Sequence, residues 1–184
     1  MTTTTANNID GSSFDVGAFE KAWDDFHDAM KPLSLRIGFT FFKEHKSMSE
    51  ETMCFSANIT LDGVKVGRAK NDGHGGCTDI VFDNKTLWNT LSDEISRLWN
   101  GNPEDRLDLE ALIYSLAFDV AGDKDWDAYA KRAVKRGATA FRCAKLERPR
   151  KTYGFVAINS RNPESIKKTH EQLTSQGLII LAQK

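Results

Sequence analysis

The alternation over residues 53–61, followed at once by Asp62-Gly63, constrains this chain more than any other stretch. Met53, Phe55, Ala57, Ile59 and Leu61 interleave with Cys54, Ser56, Asn58 and Thr60, the period-2 pattern of a strand with one buried face. Asp62-Gly63 supplies the positive-φ pair of a tight hairpin, and Val64, Lys65, Val66, Gly67, Arg68 and Ala69 run back along the first strand. After the loop Asn71-Asp72-Gly73-His74-Gly75-Gly76-Cys77, another strand is expected over 78–82. Residues 53–82 therefore read as an antiparallel meander.

An earlier strand over 35–41 would add Leu35, Ile37, Phe39 and Phe41 to the same apolar face, and that face needs a cover. Helices supply it. Val16, Phe19, Trp23, Phe26 and Met30 recur at three- and four-residue steps over 15–30, where Lys31-Pro32 is expected to end the helix. A second helix over 85–99, capped by Asp83 or Asn84, carries Leu87, Trp88, Leu91, Ile95 and Leu98. Two more are expected over 107–120 and 126–136, separated by Gly122, with Gly137 as the final cap. Strands over 139–146 and 152–158 follow. Asn162-Pro163 then starts a helix to 176 that Gly177 caps, and a last strand covers 178–181.

The pattern predicts an α+β protein: an antiparallel meander sheet packed against several helices, with a C-terminal β-β-α-β unit. Residues 1–13 have almost nothing to bury and read as a disordered arm. Residues 14–184 read as one compact domain, divisible into subdomains 14–100 and 101–184. Eleven Phe, four Trp and three Tyr among 40% hydrophobic residues suffice for a core.

The net charge of -1 argues against a general polyanion binder. Cys54, Cys77 and Cys143 are too far apart in sequence for a zinc-knuckle spacing, and a reduced, cytoplasmic setting is the simplest reading. It would be the host's cytoplasm if the chain is carried by a mobile element. The N-terminal residues have neither a cationic region nor an apolar run, so no secretory signal is expected there. No stretch of about eighteen apolar residues calls for a membrane.

The glycine loop is the one place where chemically active side chains and permissive backbone coincide. Asn71, Asp72, Gly73, Gly75 and Gly76 are turn formers whose N–H groups could make an anion nest overhung by His74. The loop has neither the Lys-Ser/Thr ending of a phosphate loop nor a following helix, and it joins two strands. Catalysis would take Cys77 as nucleophile, His74 as base and Asp79 or Asp72 as the orienting group. No HExxH or paired-cysteine arrangement predicts a metal, and no motif predicts a cofactor.

A second candidate surface is the basic segment 135–151, in which Arg142 alternates with Phe141 and Cys143, so that it can point to solvent while they pack, and Arg148 and Arg150 flank Pro149. Tyr153 follows on the next strand, where it could stack on a base. The first helix carries the opposite charge, through Glu20, Asp24, Asp25 and Asp28. Separated charge faces suit a protein partner or self-association. The expected function is a non-catalytic protein-binding or regulatory module that contacts its partner through Asn71, Asp72, Gly73, His74, Gly75, Gly76, Arg142, Arg148, Arg150 and Tyr153. The alternatives are a small thiol-dependent enzyme or sensor of an anionic small molecule, and a nucleic-acid accessory protein.

Overall fold

A computed structural model describes residues 6–7, 13–14, 16–101, 107–145 and 148–184. The side chains of 6, 7, 13, 14, 16, 19, 145 and 148–153, among them Phe19, Arg148, Arg150 and Tyr153, lie outside the description. In the N-terminal arm, β1 (Ala6–Asn7) pairs antiparallel with β2 (Ser13–Phe14), and residues 1–5 and 8–12 lie outside the described residues. The chain divides into two compact units, Met1–Phe118 and Asp119–Lys184.

The first unit holds α1 (Val16–Ser34), β3 (Ile37–Glu44), a 3-10 turn (Lys46–Met48), β4 (Phe55–Leu61), β5 (Val64–Asn71), β6 (Asp79–Phe82) and α2 (Lys85–Leu98). It also takes the first part of α3 (Leu109–Lys135). Its sheet is an antiparallel meander in the order β3-β4-β5-β6. Asp62 and Gly63 both have positive φ, +50° and +81°, so the two-residue hairpin is as the sequence predicts. Phe55, Ala57 and Ile59 are buried on the inward face. Phe55 stacks on Phe42 at 5.8 Å and meets Tyr114 of α3 at 6.3 Å. Phe26, Met30 and Leu33 of α1 and Leu91 and Ile95 of α2 are buried as well.

Two expectations for this unit are corrected. Proline does not end α1, which continues through Pro32 to Ser34. Leu33 is fully buried. That burial contributes about 2 kcal/mol, which offsets much of the roughly 3 kcal/mol that an interior proline costs. Ser34 Oγ also donates to the Met30 carbonyl at 3.0 Å. Leu35, expected inside, is 82% exposed as a result, because the strand starts only at Ile37. A register shift between Thr40 and Lys43 then inserts an extra residue. Phe41 sits there at φ +51° and is 88% exposed, while Phe42 takes the core position.

The second unit holds the rest of α3, β7 (Thr139–Lys145), β8 (Arg148–Ile158), α4 (Pro163–Ser175) and β9 (Leu178–Gln183). These strands form their own antiparallel sheet in the order β8-β7-β9, separate from the meander. Trp126, Ala130 and Ala133 of α3 pack with Ala138 and Ala140. Phe141 and Cys143 pack with Leu173 of α4 and Leu178. Alternate residues of the central strand β7 therefore face opposite helices. Asn162 caps α4 by accepting from the Glu164 N–H at 2.9 Å, as expected.

Gly122 does not break α3, which runs unbroken for 27 residues. An interior glycine costs about 1 kcal/mol, less than the burial of Ala117, Ala121, Trp126 and Ala130 on either side gains. A Cβ at Gly122 would meet only the Arg142 guanidinium, at 3.7 Å, which is ordinary contact. Gly122→Ala is therefore expected to raise the thermal midpoint by about 2–4 °C. A lowered midpoint in a calorimetric scan would show that the position needs glycine for some reason besides space.

Candidate functional site

The loop between β5 and β6 is built around one side chain. Asn71 is 2% exposed, and both ends of its amide are engaged. Its Oδ1 accepts from the Gly73 N–H at 2.8 Å and from Thr52 Oγ1 at 2.9 Å. Its Nδ2 donates to the Gly76 carbonyl at 3.1 Å and to Thr78 Oγ1 at 3.3 Å. An Asn at the head of a tight turn commonly bonds the backbone two residues on. Here it also ties the loop to Thr52, a residue 19 positions earlier.

The segment before β4 completes the clasp. The N–H groups of Glu50, Glu51 and Thr52 converge on the Gly73 carbonyl at 3.0, 3.0 and 3.3 Å. Three consecutive donors around one oxygen make a nest. The molecule thus does contain a nest near the glycines, but it belongs to the preceding segment and Gly73 fills it. The expected glycine nest is corrected accordingly: Gly73 N–H goes to Asn71, and Gly75 N–H points to Thr52 Oγ1 at 3.3 Å. Gly73 has φ +87°, and a Cβ there would lie 2.1 Å from the Met48 carbonyl and 2.8 Å from Cys54 Cβ. Gly75 has φ +80° and faces the flexible end of Glu51, whereas a Cβ at Gly76 would meet nothing within 4 Å.

The expected catalytic groups are distributed differently from the sequence reading. His74 Nδ1 lies 3.2 Å from Glu50 Oε2, in a pair with side chains 59% and 69% exposed. Glu50, which sequence spacing did not single out, is thus the carboxylate beside His74, in place of Asp79 or Asp72. Asp79 is exposed on β6 opposite Lys70. Asp72 pairs with the Lys70 ammonium at 2.6 Å, and that contact holds its carboxyl below the usual carboxylate range. Cys77 is exposed, Cys54 and Cys143 are buried, and none is in a disulfide. Burial pushes the Cys143 thiol up.

A cleft of about 190 Å³ opens beside the clasp. It is lined by Thr52, Asn71 and Gly76 together with Trp23, Asp108, Glu110 and Tyr114. Glu110 Oε1 accepts from the Thr78 N–H at 2.7 Å, Asp108 Oδ1 accepts from the Ala111 N–H at 3.1 Å, and Tyr114 Oη accepts from the Met53 N–H at 2.9 Å. No local pattern in the sequence marks Trp23, Asp108, Glu110 or Tyr114 as a neighbour of the loop.

The second unit changes the reading of the basic segment. Arg142 was expected to point to solvent, but its side chain is only 18% exposed and pairs with Asp123 of α3. The reason is helix cover: α3 packs on one face of the central strand β7 and α4 on the other, so the face that carries Arg142 is not open. Asp119 is nearby, and partial withdrawal from water, then Asp123, raises its carboxyl against the opposing pull of Arg142. Arg148, Arg150 and Tyr153 are on β8, with side chains outside the described residues. Among the described residues no group of three His, Cys, Asp or Glu side chains is placed to hold a metal ion. No described helix is long and apolar enough to cross a membrane.

No protein-family model, curated protein or solved structure matches the chain.

Proposed function

We propose that this chain is a protein-binding module without turnover of its own, and that its contact surface is the outer rim of the clasp: His74, Gly75, Gly76 and Cys77. The observation that supports this reading is the fixed geometry of the loop. Asn71, Thr52 and the Glu50–Thr52 N–H groups hold its inner side, while residues 74–77 all stay exposed. A rim fixed in advance loses little conformational freedom on association, which favours specific recognition.

Gly76 offers the cleanest test, because its outward direction is empty and its φ does not demand glycine. Gly76→Trp is expected to leave the unfolding midpoint within about 0.5 kcal/mol of the parent and to reduce recovery of the partner at least about tenfold. Native mass spectrometry of the protein isolated from its own cells gives that recovery. Undiminished recovery would remove the rim from the interface.

Thiol labelling separates this reading from a thiol enzyme that uses His74 as base and Glu50 as the orienting group. If the loop is a contact rim, His74→Ala leaves the alkylation rate of Cys77 unchanged. A several-fold slower reaction would transfer the loop to catalysis.

A further inference from the structure

We propose that the cleft beside the clasp receives the guanidinium of an arginine side chain from the protein partner, an assignment that rests on the contact-rim reading above. Its lining combines two aromatic residues, Trp23 and Tyr114, with two carboxylates, Asp108 and Glu110, and no cationic side chain is among its described residues. Each carboxylate is oriented by one backbone N–H, from Ala111 to Asp108 and from Thr78 to Glu110. A carboxylate offers about four acceptor directions, so one backbone donor on each leaves room for a further donor.

A guanidinium suits this lining better than an ammonium does. It is planar, weakly hydrated and able to stack on an aromatic face while its edge donates to carboxylates. Size points the same way. The cleft, at about 190 Å³, is smaller than the roughly 300–1,000 Å³ of pockets that enclose whole small molecules. It can hold the head of a side chain whose backbone stays outside. Gly76 belongs both to the rim and to the cleft wall, so a partner lying on the rim has its side chains beside the opening.

The test uses the full chain, ¹⁵N-labelled, and the peptide acetyl-Gly-Arg-Gly-amide. Saturable shifts are expected at the backbone amides of Gly76 and Ala111. A peptide carrying neutral citrulline, or lysine, in place of arginine should bind at least about tenfold more weakly. The double variant Asp108→Asn, Glu110→Gln removes both charges but keeps both acceptor oxygens, so the helix start and the Thr78 contact persist. It should lose about tenfold or more in affinity for the arginine peptide.

No saturation by about 10 mM, equal binding of the citrulline or lysine peptide, or an undiminished double variant would overturn the assignment. If that happens while Gly76→Trp still blocks partner recovery, only the cleft assignment falls and the rim reading stands. If the arginine peptide binds but Gly76→Trp leaves recovery intact, the partner is overturned as the source of the guanidinium.

Discussion

Gly73→Ala is expected to destabilise the protein by roughly 3–5 kcal/mol, the largest effect of any single methyl addition in the loop. Two independent causes act at this position. The backbone is at φ +87°, which an L side chain rarely adopts. In addition, the new carbon would fall 2.1 Å from the Met48 carbonyl oxygen and 2.8 Å from Cys54 Cβ. Neither neighbour is the loose end of a side chain. Relief would require Gly73 to move, and moving it withdraws the acceptor shared by the Glu50, Glu51 and Thr52 N–H groups. Urea unfolding of Gly73→Ala beside Gly76→Ala isolates the effect, since a methyl at Gly76 enters open space. Equal midpoints for the two variants would contradict the clasp.

Asn71→Asp should cost roughly 2–4 kcal/mol at neutral pH, although the two side chains have nearly the same shape. The amide nitrogen that reaches the Gly76 carbonyl becomes an oxygen, so a buried donor is replaced by an acceptor facing an acceptor. The new carboxylate would be almost wholly out of water, and the burial of its charge raises its pKa in the folded state. The sign of the pH dependence follows. A folded pKa above the unfolded value leaves the deficit full above the folded pKa, and the deficit shrinks as pH falls toward the unfolded value near about 4. Urea midpoints of parent and variant, compared at about pH 7 and about pH 4.5, should converge at the lower value. A gap independent of pH would show that lost hydrogen bonding alone, without a buried charge, sets the cost.

These two positions also show what a sequence can and cannot disclose. Local devices were legible because their physics is contained within a few residues. Asp62-Gly63 makes its hairpin, Asn84 and Asn162 cap their helices, and Gly137 and Gly177 adopt the positive φ of helix ends. Asn71 could be read as a turn former, but not as the buried centre of a clasp, because Thr52 is 19 residues away. A separation of 24 residues likewise hides Glu50, which lies beside His74 where spacing points to Asp79 or Asp72. Arg142 was misread for another reason. Alternation tells which residues share a face, and only the packing of α3 on one side of β7 and α4 on the other reveals that neither face is open. Gly122 and Pro32 both read locally as breakers, but burial on either side outweighs the roughly 1 kcal/mol cost at Gly122 and offsets much of the roughly 3 kcal/mol cost at Pro32.

The bulge in β3 bears on how the first unit meets other chains. β3 and β6 are the two edges of the meander, and an unpaired edge offers a template for a further strand. β6 is only four residues long, and the register of β3 is interrupted between Thr40 and Lys43, where Phe41 turns outward at positive φ. Neither border presents a long regular row of donors and acceptors. Sheet extension, the common route both to strand-addition complexes and to fibrils, is thereby discouraged at both ends. On the proposed binding role, recognition falls to side chains and to the loop at the end of β5.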